Sequence, residues 1–598
     1  MKFHNLSSFT SRLLLCAAVA TSLTDASGGT LTVKFARATE VEIDGVVQSF
    51  AANSTFTPTA IPCIYKMRPA GLSSDQRTFA IVSDGNYDAI KDTNYRIPCL
   101  GDGNWVRVAL NPYPAADTNV TLTAYKVNKV YYVDEKNGSD TYDGTAATHE
   151  ENTDHGPKAT LQAAHDVAAT GSDANGYPVV LVAPGFYSNE VHTASYTASG
   201  TTTTSNRRLV STKNIAFVAS EGPEKTFIVG APDPATEGNG ADAIGGVWMQ
   251  TTTKPAYIQG FTIMGCYSPA SQAGLAHYGS AFNGCGSHRV GAIDCIISNN
   301  YAVSKYPATY YGFYQRTKIM ENETKQYVTS KGYFISCVFA GNRLTYGNNT
   351  GNGYALHDGG NESLFCTYDL RNALNPTGRK QLHNEASSNK SYLRACLVYG
   401  LTDKSTINAT YWTDSQAVDS PDFVDADARD YRLGALSPAI DALSYESLAG
   451  KSRFVVASDI LGGQRIYNVK VDIGAVEYDW RSAFAEGVGK NLTITDASPY
   501  VTTNATGGLL IPSGALAGMV AAGGKYSFVF EISTGTLEAF VGGMSKCVYS
   551  AAGEQVVSLS IPDATTEFRF VFTPDSETPG MAVLKQIASN KGFVIIFR

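Results

Sequence analysis

The feature that most constrains this chain is a repeat running between residues 260 and 400. Cys295 stands in Asp-Cys-Ile-Ile-Ser-Asn-Asn, Cys337 in Ser-Cys-Val-Phe-Ala-Gly-Asn, Cys366 in Phe-Cys-Thr-Tyr and Cys396 in Ala-Cys-Leu-Val. Two residues after each cysteine lies Ile297, Phe339, Tyr368 or Val398. Two before lies Ile293, Ile335, Leu364 or Arg394, the last of which breaks the pattern. Asn300 and Asn342 follow the first two cysteines by five residues, and Phe261 takes the cysteine's place one step earlier. The steps are 34, 42, 29 and 30 residues. Irregular steps of this size suit a β-solenoid, in which each coil donates a short strand to a parallel sheet and loop insertions vary between coils. Alternation of period two points the repeated apolar residue inward, where like residues stack about 4.8 Å apart. The cysteines then read as a free, buried ladder of small side chains, because parallel Cβ vectors oppose bridging.

Composition agrees with an all-β chain. Only 17% of the 598 residues are charged, against about 25% in an average domain. Gly (56), Tyr (34) and Phe (26) are abundant, as turns and strands require. A net charge of −8 argues against a nucleic-acid partner, which needs a basic face. The length calls for more than one domain. Short alternating runs separated by Gly, Pro and Asn turns mark a β-domain over 27–128, and similar runs mark a β-sandwich over 485–598. The repeat zone occupies 129–480. A solenoid end needs a cap, and Lys158 to Thr170 supplies one, with Leu161, Ala164 and Ala168 on one helical face.

Residues 1–26 read as a signal peptide: Lys2 and Arg12 precede the apolar run Leu13 to Ala20, and Ala18-Val19-Ala20 or Thr24-Asp25-Ala26 offers a cleavage site. The run is too short to span a bilayer, and no later segment qualifies. The expected location is secreted or cell-surface. Cys63 and Cys99, each in an Ile-Pro-Cys triplet, can pair in an oxidising compartment; a metal pair would lack nearby His or Cys partners.

Tyr132-Val133-Asp134, Asn137-Gly138-Ser139-Asp140 and Asp143-Gly144, then the cap and Val182-Ala183-Pro184-Gly185-Phe186-Tyr187, resemble the entry to secreted right-handed parallel β-helix proteins of the pectate-lyase-like superfamily. Asp430-Tyr431-Arg432-Leu433, Ser437-Pro438-Ala439-Ile440-Asp441 and Asp472-Ile473-Gly474-Ala475-Val476-Glu477-Tyr478 are similar to the closing coils of such proteins. The resemblance covers about 130–480 and implies an all-β, right-handed parallel β-helix (solenoid) behind its N-terminal helical cap; the two small β-sandwich-like domains that flank it gain nothing from the resemblance. It implies no single activity, because the superfamily holds lyases, hydrolases and proteins without known chemistry. No local motif matches a lyase active site.

Candidate chemistry is therefore read from the residues. The longest insertion, 301–334, carries Tyr306, Tyr310, Tyr311 and Tyr314 among other aromatics, interleaved with Lys305, Arg316, Lys318, Lys325 and Lys331. Aromatic faces stack on sugars and cations meet carboxylates, so this loop is a candidate site for an acidic glycan, with packing over the coil beneath as the alternative. Arg316 and Lys318 are candidate bases for a lyase. His357 and Asp358 are candidate acid–base groups, although the Gly359-Gly360-Asn361 that follows also suits a tight turn. Asp134, Asp140 and Asp143 form an oxygen-rich loop of the kind that holds Ca²⁺ or, alternatively, a hydrogen-bonded turn. Asp441, Asp459, Arg465, Asp472 and Glu477 read as a buried polar lock under the last coils. The functional expectation is an exported protein that binds, and in one version cleaves, extracellular polysaccharide, uronate-containing polysaccharide included. The alternative is a non-catalytic, adhesin-like surface protein.

Overall fold

The computed structural model describes most of residues 30–303, the strands and turns between 309 and 478, and the strands of 492–596. Residues 1–29, 347–361, 372–391 and 479–491, with shorter inter-strand segments, lie outside the described residues. The expected signal peptide, Cys63 and Cys99 fall among those.

The chain is all-β, with three large parallel sheets at its centre. It visits them in rotation. Tyr177–Val182 lies in the first sheet, Gly185–Tyr187 in the second and Thr201–Ser211 in the third. The cycle repeats with Ala216–Ala219, Thr226–Val229 and Ile244–Thr251, and again with Ala256–Gln259, Thr262–Met264 and Phe282–Gly286. Each strand pairs in parallel with its equivalent one cycle later. From Tyr333–Ile335 onward the described strands of these three sheets belong to the first and second alone, ending at Trp412–Thr413 and Gln416–Val418, while Arg343–Tyr346 pairs with Tyr301–Val303 in a small sheet of their own. Short β-branched and aromatic runs suit such strands, which bury an inner face in every cycle. Ile228, Ile263, Ile297, Phe339, Tyr368 and Val398 follow one another along the second sheet and point into one inner core with Val180, Phe217, Ile258 and Val247.

The cysteines mark a corner between the first and second sheets. Phe261, Cys295, Cys337, Cys366 and Cys396 are all 0% exposed, and the cysteines are free. The residue before each is left-handed: Gly260, Asp294, Ser336, Phe365 and Ala395 have φ between 49° and 75°. Each of these donates its N–H to the end of the next first-sheet strand, as in Asp294 N to Ile335 O (2.9 Å) and Phe365 N to Arg394 O (3.0 Å). One such residue bends the chain out of one sheet and into the next. Cysteine suits the position after it. Its thiol donates back to the carbonyl two residues earlier, Cys295 to Ile293 (3.2 Å) and Cys337 to Ile335 (3.3 Å), while its small body fits the core. Ser415 extends the column: its hydroxyl donates to Thr413 O (3.2 Å) and accepts from Cys396 N (3.0 Å). The same bend corrects one expectation from the repeat. Ile293, Ile335 and Leu364, two residues before the cysteines, face an outer apolar cluster and not the inner core. Arg394, 7% exposed, occupies this same outward column.

Asn300 and Asn342 form a second buried ladder. Asn300 Nδ2 donates to Asn342 Oδ1 (2.9 Å), and each amide also donates to a backbone carbonyl of the preceding cycle.

The cap helix α1 spans Leu161–Val167, shorter than the expected 158–170. Its start is delayed because the Ala159 and Thr160 amides and the Thr160 hydroxyl all donate to Asp140, at 2.9–3.0 Å. Thr160 then accepts from Ala163 N as the N-cap. Leu161 and Ala164 bury against the first cycle, in the inner core cluster.

A 16-residue strand, Thr118–Val133, joins the N-terminal region to the parallel sheets. Its first half pairs with Leu31–Phe35 and Thr78–Asp84, and its second half with Tyr177–Val182. Phe79 stacks on Tyr177 at 4.6 Å and accepts a hydrogen bond from the Tyr257 hydroxyl through its carbonyl, so the first parallel sheet is buried on its outer face as well. Toward the C-terminus two antiparallel sheets face each other through Phe528, Phe530, Phe568 and Phe570, with ring centroids 4.8–5.5 Å apart.

Candidate ligand groove on the second parallel sheet

The outward positions of the second sheet build one surface with two different halves. Phe186, Phe227, Thr262, Ile296, Val338, Thr367 and Leu397 are successive register partners. At the C-terminal end a strap formed by residues 459–478 lies over them. Ala475 N donates to Thr367 Oγ1 (2.8 Å), and Gly474 N to Ala395 O (2.9 Å) at the corner. Leu397 is 0% exposed beneath this strap, whereas Phe186 at the other end is 58% exposed.

Arg465 pins the strap. It is fully buried, its guanidinium lies 4.5 Å from the Phe365 ring centroid, and it donates to Gly474 O, Ala475 O and Ser336 Oγ at 2.8–3.1 Å. Around it are buried carboxyls. Asp459 accepts from the Leu461, Gly463 and Glu477 amides, and Asp472 from the Asp441 and Tyr478 amides. Glu477 Oε2 lies 3.9 Å from the Arg465 Nη1. Burial pushes Asp472 up to about 8 and Asp294, at the corner beneath, up to about 7. Burial also raises Asp459, and raises Glu477 well above the carboxylate range with help from the neighbouring Asp472. One guanidinium among this many carboxyls makes a structural lock that favours protonated acids.

Where the strap ends, a groove of about 330 Å³ opens. Phe227, Thr262, Ile296 and Val338 form its floor, Ile460, Leu461 and Val476 one wall, and Ala428 to Arg432 another. The second wall is a hairpin turn: Ala428 N donates to Asp425 Oδ1 (2.9 Å), and Arg429 adopts φ 68° at the tip. Tyr431 anchors the hairpin by donating its buried hydroxyl to Asp369 (3.2 Å), and Arg432 grips Asp430 through two nitrogens. Exposed Arg429 and Glu224 supply charge at the rim. Beyond the floor, Phe186 stacks on Phe227 with centroids 4.5 Å apart and planes 6° from parallel. The surface combines an accessible aromatic face, an apolar trough and hydrogen-bonding groups at its edge.

Those residues expected from the sequence that are described lie elsewhere. Tyr310 and Tyr311 belong to Thr309–Tyr311 at the edge of the third sheet, opposite Asn283 and Gly284. Lys318 belongs to a hairpin, paired with Tyr327. Tyr306, Tyr314, Arg316, His357 and Asp358 fall outside the described residues. The three loop aspartates each serve a different turn. Asp134 accepts from the Lys136 and Asn137 amides, Asp140 ties down the cap, and Asp143 accepts from Thr145 and from His155 Nδ1 (2.6 Å). Among the described residues no three His, Cys, Asp or Glu side chains converge as metal ligands would. Among the described residues no helix is long and apolar enough to cross a membrane.

Phe186, Phe227 and Arg429 were not singled out by the sequence reading. Their signal is faint: an aromatic before the inward residue of two short strands, Phe186 before Tyr187 and Phe227 before Ile228.

No family model and no curated protein matches the chain. Among solved structures it is similar to a rhamnogalacturonan lyase, at a TM-score of 0.25 and 15% identity, over 46% of this chain and 69% of that one. Likeness at that level carries no argument about fold or chemistry.

Proposed function

We propose that the three parallel sheets are the faces of a right-handed parallel β-helix, that the chain is exported, and that the open half of its second sheet binds polysaccharide. The handedness and export rest on the entry motifs and the N-terminal charged and apolar run. The observation that carries the binding reading is the Phe186–Phe227 ring pair, exposed at one end and continuous with a charged-rim groove. A flat aromatic face in water suits the apolar face of a sugar ring, and Arg429 and Glu224 suit its hydroxyls or a carboxylate. Strands hold these groups more rigidly than a loop does, which lowers the ordering cost of binding.

The test is incubation of the mature chain with acidic and neutral polysaccharides, with and without Ca²⁺. Retention, unsaturated-uronide absorbance and new reducing ends are measured together. Retention of at least one polysaccharide is expected. Product formation would add a catalytic role, and retention without product would make the chain a display or adhesion protein. Retention of none would end the proposal.

A further inference from the structure

A second groove, of about 370 Å³, lies beside the cap helix, with Glu135, Thr160, Tyr187, Asn189, Glu190 and Arg208 in its lining. Arg208 is its distinctive member. It is 8% exposed, and its guanidinium is held by backbone carbonyls: Nε donates to Val229 O (2.7 Å) and Nη1 to Glu190 O (2.6 Å). Among the described residues no carboxylate pairs with it, and its two protein hydrogen bonds leave Nη2 without one. A buried cation ordinarily has a counter-ion, because taking it out of water is costly unless an opposite charge offsets the loss. Two carbonyl dipoles offset only part of that, and burial accordingly lowers the Arg208 pKa, though an arginine stays charged.

The acids nearby do not fill the role. Glu190 Oε2 lies 2.8 Å from His192 Nε2. Glu135 packs against Gly185, where an added Cβ would sit 3.4 Å from its Oε2. The Tyr187 hydroxyl donates to Ala183 O (2.8 Å), and the Thr160 hydroxyl donates to Asp140. What the groove offers a ligand is one fixed guanidinium, the carboxylate of Glu135 as an acceptor, and the exposed Asn189 amide.

We propose that this groove is a site for a hydroxycarboxylate, whose carboxylate pairs with Arg208 at Nη2 while its hydroxyls donate to Glu135 and accept from Asn189. A charge-assisted bond to a half-satisfied guanidinium is the strongest contact available there. The hydroxyls distinguish the ligand from a bare anion, which has no donor to offer the Glu135 carboxylate. The carboxylate has two sources of the same chemistry, a sugar acid in its ring form or an open-chain hydroxy acid. The site stands apart from the second-sheet groove and does not depend on it.

Calorimetric titration of the full chain with D-glucuronate, D-gluconate, acetate and D-glucose tests the proposal. Saturable binding of at least one hydroxy acid is expected, tighter than acetate and without glucose binding; the stronger of the two acids identifies the source. Asn189→Asp, an exposed change that leaves packing intact, should weaken that binding about ten-fold by like-charge repulsion. Arg208→Met should abolish it and Arg208→Lys should retain part. Absence of acid binding, equal binding of glucose, or an unchanged affinity in Asn189→Asp would overturn the proposal. Loss of polysaccharide retention in Phe186→Ala leaves this result unaffected, so the two sites fail separately.

Discussion

The second parallel sheet is one surface with two fates. Inside, its cycles are equivalent: Ile228, Ile263, Ile297, Phe339, Tyr368 and Val398 stack in one core. Outside, the last strands lie under the 459–478 strap and the first expose Phe186. A stacked fold constrains the inner face of every cycle in the same way, since a wrong volume there is felt by both neighbours. The outer face is free to differ. Binding surfaces in such a molecule are therefore set by where cladding stops.

The largest break in this comparison should come from the strap. Arg465→Leu removes a buried guanidinium and leaves carbonyls and carboxyls unpaired, at a cost of about 3–5 kcal/mol. Hydrogen exchange should show lost protection at Thr367 and Leu397 with little change at Ile228. Next in size is pH. Asp294 and Asp472 have folded values of about 7 and about 8, above the ordinary 3.8. Their contribution is complete below the ordinary carboxylate value, falls as pH rises and is gone above 7 and 8; at about 1.4 kcal/mol per pKa unit, the part lost above pH 6 is on the order of a few kcal/mol. Thermal stability of the strap should fall between pH 6 and 8 and level off above that, and Asp472→Asn should flatten the fall. Smaller still is the cysteine column. Cys337→Leu overpacks the corner and should cost roughly 1–3 kcal/mol, whereas Cys337→Ser, which keeps the donor as Ser415 does, should cost less. A thiol reagent should find Cys266, Cys295, Cys337, Cys366 and Cys396 unreactive until the chain unfolds, because all five are buried.

The cysteine ladder was legible because its inner position demands a small side chain that can also donate to a carbonyl, and few residues meet both needs. The left-handed residue before it was not: Gly260, Asp294, Ser336, Phe365 and Ala395 share no chemistry, only a backbone conformation fixed by the corner. Ser415 escaped notice because it changes residue type after a step of only 19 residues from Cys396. The first cycles, from Tyr177 onward, carry no cysteine and so gave no repeat to follow. The groove was hidden for a different reason. Phe186 and Phe227 lie 41 residues apart and meet only because their strands are neighbours, so no local motif links them. The tyrosine-rich insertion, by contrast, concentrates its residues in sequence, which made it the natural choice before the sheets were in view.

The measurement that tests the account most directly compares polysaccharide affinity and thermal stability in Phe186→Ala and in Tyr310→Ala/Tyr311→Ala. Phe186 is largely exposed, so Phe186→Ala should cost no more than about 0.5–1.5 kcal/mol, the worth of its stack on Phe227. Its affinity should fall by about 0.5–1.5 kcal/mol, roughly two- to ten-fold, while the tyrosine pair keeps full affinity. Unchanged affinity in Phe186→Ala together with loss in the tyrosine pair would contradict the account and move the site to the third sheet.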